Sequence, residues 1–155
     1  MIVLLTHPDS SHTKQGWKEL ISQAQYSVVY FYPKDSTPGC TIEAHDFSSL
    51  QADFEALGCQ IIGVSKDSVS SHQKFINKEC ITFPLITDDK LEVHNQFNVL
   101  GEKSMYGRKY LGTIRSTFLL NHHGEIIQER RNVSTSNHAQ NVLEKTKKVV
   151  MDSVK

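Results

Sequence analysis

The sequence carries no excess of either charge: Lys plus Arg and Asp plus Glu each number 17. A protein that binds nucleic acid or an anionic membrane through bulk charge needs a positive balance, so that class is excluded. The lysines of EKTKKVVMDSVK read as a solvated helix face. There is no apolar run long enough to cross a membrane. The opening MIVLL is short, has no basic segment before it and runs straight into THPDSSH. That is not the pattern of a secretory signal, so a cytosolic location is the default expectation. Cysteine is scarce. Cys40, Cys59 and Cys80 are odd in number and form no C-x-x-C pair, which excludes a disulfide framework and suits a reducing compartment. Histidines are more numerous, but the one adjacent pair, in NHHGE, has no zinc-like spacing around it, and no metal is expected. No repeat, low-complexity tract or long linker divides the chain, so residues 1–155 read as one domain.

What is present is a series of patterned runs. YSVVYFY (26–32) is continuously apolar, β-branched and aromatic, the signature of a strand buried on both faces. The turn PKDSTPG follows, and then Phe47, Leu50, Phe54 and Leu57 fall on one face of a helix that Gly58 stops. CQIIGVS (59–65) reads as a second buried strand. Strand, helix and strand make a βαβ unit with a right-handed crossover. SVSSHQKFINKE reads as a helix, FPLITD as a short strand and DKLEVHNQFNV as a short helix. GTIRSTFLLNHHGEIIQERRNV reads as an antiparallel hairpin, and from Ser136 a helix carries Ala139, Val142, Leu143, Val149 and Val150 near one face. GWKELISQ reads as a short helix, and residues 1–16 are otherwise irregular after MIVLL. The sum is an α/β class chain, a mixed sheet with helices packed on it.

The turn before the first long helix carries the chemistry. With Thr37 as N-cap, Pro38 falls at N1, where its missing N–H costs nothing, and Cys40 at N3. The thiol then lies among free backbone amides at the positive end of a helix, which favours the nucleophilic thiolate. It also lies at the carboxyl end of a sheet strand, where open α/β folds bind ligands. The residues point to a reactive cysteine rather than a small buried hydrophobe, and they leave its substrate open.

Pro33, Thr37 and Cys40 form P-x-x-x-T-x-x-C, and FYPKDSTPGCTIEA, GEKSMYGRKYLGTIRSTFLLNHHGEI and RNVSTSNHAQNVLE agree in register over residues 26–148. In these stretches the chain resembles the peroxiredoxins of the AhpC/TSA family, in the bacterioferritin comigratory protein (PrxQ) branch. The resemblance implies a thioredoxin-like fold and a thiol-specific peroxidase for hydrogen peroxide and organic hydroperoxides, with no cofactor. It makes Cys40 the peroxidatic cysteine, attacking the O–O bond to give a sulfenic acid. It gives Thr37 a hydrogen bond to the peroxide, Pro33 a shielding role, and Arg115 the stabilisation of thiolate and leaving oxygen. Gly39 and Cys40 would offer backbone N–H groups, and Glu43 would orient an arginine or a backbone group. The partners implied are a hydroperoxide and a thioredoxin, glutaredoxin or small-thiol reductant, with the protein a monomer or weak homodimer.

The pattern breaks at one place. Many members of this branch carry a second, resolving cysteine five residues after the first, and here His45 stands there. Three routes stay open. An external thiol attacks the sulfenic acid, or Cys80 resolves it after local unfolding, or Cys59 does. Some relatives place a resolving cysteine where Ile76 stands. Without a resolving thiol, a redox-sensing protein with poor turnover is the alternative. The opening residues, about the first 20, match the family's N-terminal layer poorly, so that layer is expected to be shortened or rebuilt.

Overall fold

The computed structural model describes residues 1–153. Its main sheet has seven strands in the order β2-β1-β5-β4-β3-β8-β9. They are β1 (Ile2–Thr6), β2 (His12–Gly16), β3 (Tyr26–Phe31), β4 (Cys59–Ser65), β5 (Leu85–Thr87), β8 (Ser116–Asn121) and β9 (Ile126–Arg130). β3, β4 and β5 run parallel, and the remaining pairs are antiparallel, so the sheet is mixed as expected. A separate two-stranded ribbon holds β6 (Leu100–Met105) and β7 (Arg108–Thr113). The helices are α1 (Trp17–Ser22), α2 (Pro38–Ser49), α3 (Gln51–Ala56), α4 (Val69–Glu79), α5 (Glu92–Phe97) and α6 (His138–Ser153).

Every residue of β3 is buried, because helices cover both faces of the sheet at its centre. Successive side chains of a strand alternate between faces. Tyr26, Val28 and Tyr30 therefore join one core with Phe47 of α2, Phe75 of α4 and Leu143 of α6. Val29 and Phe31 join the other, with Trp17 of α1 and Phe97 of α5. This sandwiching fixes β3 rigidly, and the segment that follows it carries the reactive turn.

Three features depart from the sequence reading. Residues 12–16 are a strand rather than irregular chain: β2 pairs with β1, and β1 adds to the sheet through β5. The N-terminal layer is thus a hairpin on the sheet. The expected single helix after the turn is broken at Leu50, where φ −100° and ψ 6° separate α2 from α3. The ribbon β6–β7 turns through Tyr106 and Gly107, both at positive φ, a two-residue loop whose twist suits a hairpin.

Candidate active site

The turn after β3 is held by a buried network. Tyr32 donates its hydroxyl to Asp35 Oδ1 at 2.6 Å, Ser71 donates to Asp35 Oδ2 at 2.8 Å, and His72 Nδ1 meets the same oxygen at 2.7 Å. The Asp35 amide donates to Asp67 Oδ2 at 2.9 Å. Asp35, Asp67 and His72 come close enough to suggest a cation site, but these hydrogen bonds already engage their ligand atoms. The network ties the turn to α4 and sets the direction in which α2 starts.

Thr37 is the N-cap of α2, with Pro38 following it, as the sequence predicts. The Thr41 amide donates to the Thr37 carbonyl at 2.9 Å and closes the first helical turn. The Thr37 side chain does not cap the helix. Its hydroxyl donates to the Lys34 carbonyl at 2.8 Å instead, which commits the proton and leaves the lone pairs of Oγ1 to accept. Cys40 follows at the third helical position, 1% exposed.

Arg115 comes from the segment between β7 and β8. Its backbone is pinned by the Val133 amide, which donates to the Arg115 carbonyl at 3.0 Å. Nη2 lies 3.3 Å from Cys40 Sγ, and Nη1 lies 2.6 Å from Glu43 Oε1. Gly39 makes this approach feasible, since a Cβ there would sit 3.3 Å from Arg115 Nη2. Cys40, Glu43, Arg115 and Gly39 are therefore one cluster. Pro33 lines a neighbouring cavity of about 320 Å³ with Lys66, Lys103 and Tyr110.

Glu43 is 1% exposed, and burial raises its carboxyl to about 7 against the lowering pull of Arg115. Its second oxygen, Oε2, has no hydrogen-bond partner and faces His138 Nε2 at 3.8 Å. The same ring nitrogen meets Thr117 Oγ1 at 2.7 Å. Burial, aided by Arg130 and Arg115, lowers His138 to about 4. The Tyr30 hydroxyl, also buried without a partner, is pushed well above its ordinary value by burial and then by the charges of Glu43 and Cys40. Burial, then Arg115 and Lys66, lowers Lys103 on β6. Sequence reasoning missed His138, Thr117, Tyr30 and Lys103, because only the fold brings these four chain segments to the thiol.

The other thiols lie apart. Cys59 opens β4 and pairs with Tyr26, at the end of the parallel strands opposite to the turn, about 16 Å away along β3. Burial pushes its thiol up to about 12. Cys80 is exposed and closes α4 in the left-handed conformation, φ 53°. Its neighbour Glu79 pairs with His45 at 2.6 Å. His45 stands five residues beyond Cys40 in α2, about 7.5 Å of helix rise. A bond between Cys40 and Cys80 would join the first turn of α2 to the C-terminal end of α4. Ile76 is 2% exposed in the core beneath α4.

Residues 5–129 match the model of the AhpC/TSA family. The chain is 49% identical over 116 residues to a protein of Xanthomonas campestris pv. campestris described as peroxiredoxin Bcp, covering 75% of this chain and 72% of that one. It is 42% identical over 125 residues to peroxiredoxin Bcp of Bacillus subtilis, covering 81% and 80%. Among solved structures it resembles the Xanthomonas campestris bacterioferritin comigratory protein, described in trapped intermediate and ligand complexes that bear on alkyl peroxide reduction. That match has a TM-score of 0.85 and 40% identity, and covers 97% of this chain and 92% of that one. No helix among the described residues is long and apolar enough to cross a membrane.

Proposed function

The chain belongs to the AhpC/TSA family, in its peroxiredoxin Bcp branch, with the thioredoxin-like fold and thiol peroxidase activity of that group; from this premise we infer that Cys40 is the peroxidatic cysteine and that the residues around it divide the work as follows. The Cys40 thiolate attacks one oxygen of a hydrogen peroxide or alkyl hydroperoxide molecule, forming a sulfenic acid and releasing water or an alcohol. Thr37 accepts a hydrogen bond from the peroxide O–H, since its own proton is held by the Lys34 carbonyl. Arg115 donates to Sγ and to the charge that develops on the leaving oxygen. The Gly39 and Cys40 amides, in the first helical turn, add donors to that charge. Pro33 closes one side of the entry. The observation that carries this reading is the 3.3 Å approach of Arg115 Nη2 to a cysteine at the third position of a helix.

The sulfenic acid is returned to thiol by a thiol reductant from outside, a small thiol or a protein of thioredoxin or glutaredoxin type. Two observations support an external donor. His45 occupies the place of the second cysteine, and burial and position remove Cys59. Cys80 is the internal alternative, favoured by its exposure and its place at a helix end.

The test is peroxide consumption with dithiothreitol, thioredoxin or glutaredoxin, paired with mass spectrometry after one equivalent of peroxide. Cys40→Ser is expected to abolish consumption. Retained consumption removes the assignment. A mixed disulfide at Cys40 supports the external route, a Cys40–Cys80 bond the internal one, and a single oxidation without turnover the sensing alternative.

A further inference from the structure

Arg115 presents one guanidinium to two acids. Nη2 reaches Cys40 Sγ at 3.3 Å and Nη1 reaches Glu43 Oε1 at 2.6 Å, and both acids are 1% exposed. With both ionised, the pair would outnumber the guanidinium by one negative charge, which a buried site disfavours. One proton restores the balance, and it has two places to rest. Glu43 is prepared to hold it. Oε2 is buried with no partner, so a proton there displaces no hydrogen bond, and it faces the His138 ring. That ring is neutral at pH 7, since burial lowers it to about 4, and so exerts no cationic pull toward the carboxylate form. The other groups that act on the cluster are Tyr30 from β3, Asp46 from α2 and Lys103 from β6. Asp46 favours the protonated carboxyl, the charges of Glu43 and Cys40 help hold the Tyr30 hydroxyl in its neutral form, and Lys103 is coupled to Arg115 and Cys40.

We propose that Glu43 takes the proton that Cys40 gives up, and that Glu43 Oε2, facing His138, is where it rests. The proposal rests on the peroxidase reading of Cys40 and deepens it. First, Cys40–SH and Glu43–COO⁻ become Cys40–S⁻ and Glu43–COOH, with no change in net charge. The thiolate then attacks the peroxide R–O–O–H. The S–O bond forms, the O–O bond breaks, and the electron pair leaves on RO⁻. That oxygen takes the proton back, giving Cys40–SOH, ROH and Glu43–COO⁻. Sulfur loses two electrons and the peroxide gains the same two.

The experiment is a pH titration without peroxide. Alkylation of Cys40 by iodoacetamide is followed by peptide mass spectrometry, which reads Cys40 apart from Cys59 and Cys80. In Glu43→Gln the competing anion is gone while an oxygen remains for Arg115. The Cys40 midpoint is expected to fall by about 1 pH unit, roughly tenfold more thiolate at a fixed pH below the midpoint. In the reciprocal arm the Glu43 carboxyl is followed by carbon NMR. Cys40→Ser is expected to lower its midpoint by the same amount, because coupling between two sites is symmetric. A Cys40 midpoint that stays or rises in Glu43→Gln overturns the proposal, since a carboxylate that merely holds Arg115 in place gives that result. Should Glu43→Gln not fold, an unmoved or raised Glu43 midpoint in Cys40→Ser overturns it alone. Failure of the peroxidase reading shows separately, as peroxide consumption retained in Cys40→Ser.

Discussion

His45 Nε2 and Glu79 Oε2 meet at 2.6 Å, and this contact ties α2, which opens at the reactive thiol, to the last turn of α4. The place where the family resemblance leads one to expect a second thiol is here one half of a tether. The His45 side chain is 54% exposed, so the pair contributes about 0–1 kcal/mol. Cys80 is next to Glu79, at the end of α4 that this contact holds against α2. His45→Ala is therefore expected to speed a Cys40–Cys80 crosslink up to about fivefold after one equivalent of peroxide. Peptide mapping without reductant measures it. An unchanged rate means that this tether does not limit the encounter.

The second prediction concerns Gly39. A methyl group there would stand 3.3 Å from Arg115 Nη2 and 3.6 Å from Thr135 Cγ2. The backbone φ of a helical position suits alanine, so the strain falls on Arg115, which must retreat from Cys40 by a few tenths of an ångström. Gly39→Ala is expected to keep the fold and lower the rate of peroxide attack about tenfold. Stopped-flow peroxide reduction, with a denaturant midpoint as control, tests it. A normal rate would show that Arg115 need not sit at this distance.

Thr37 separates two jobs of one hydroxyl. Its side chain makes no cap bond, so helix stability owes little to it, whereas its oxygen is free to accept from peroxide. Thr37→Val is expected to lower kcat/KM about 10²-fold. Thr37→Ser, which keeps the oxygen, recovers most of the rate. A rate kept in Thr37→Val and lost in Thr37→Ser would assign the role to the methyl group instead.

Parts of this molecule could be read directly from the chain, for physical reasons that differ by element. β3 and β4 are buried on both faces, so their runs are apolar and unmistakable. β2, with the sequence HTKQG, lies at the sheet edge and is exposed or half-buried throughout, so no alternation marks it. β6 and β7 bury only the end of the ribbon at Gly112 and Thr113, and pairing rather than pattern defines them. The break at Leu50 is hidden because apolar spacing continues through it. At the site, Thr37, Pro38, Gly39 and Cys40 are contiguous, so capping chemistry exposes them. Arg115 is 75 residues away, and only the family resemblance pointed to it. His138 opens α6 and meets Glu43 through the fold alone.

The last prediction follows from the opposite displacements of Glu43 and His138. Burial raises Glu43 from 4.5 to about 7, so between those values the folded state holds more protons than the unfolded chain. Its contribution to stability is therefore present at low pH and is lost as pH rises through that window. Burial lowers His138 from 6.5 to about 4, so there the unfolded chain holds more protons. Its contribution is present above that window and is lost as pH falls through it. Between pH 4.5 and 6.5 the two slopes oppose each other, and wild-type stability is expected to change little on their account. Single variants uncover each slope. Glu43→Gln leaves His138 and should lose stability on acidification from pH 6.5 to 4, by at most about 3 kcal/mol. His138→Gln leaves Glu43 and should gain stability on acidification from pH 7 to 4.5, by a similar bound. Urea midpoints at several pH values distinguish these signs. Parallel profiles in the two variants would mean that neither buried group titrates in the direction its surroundings impose.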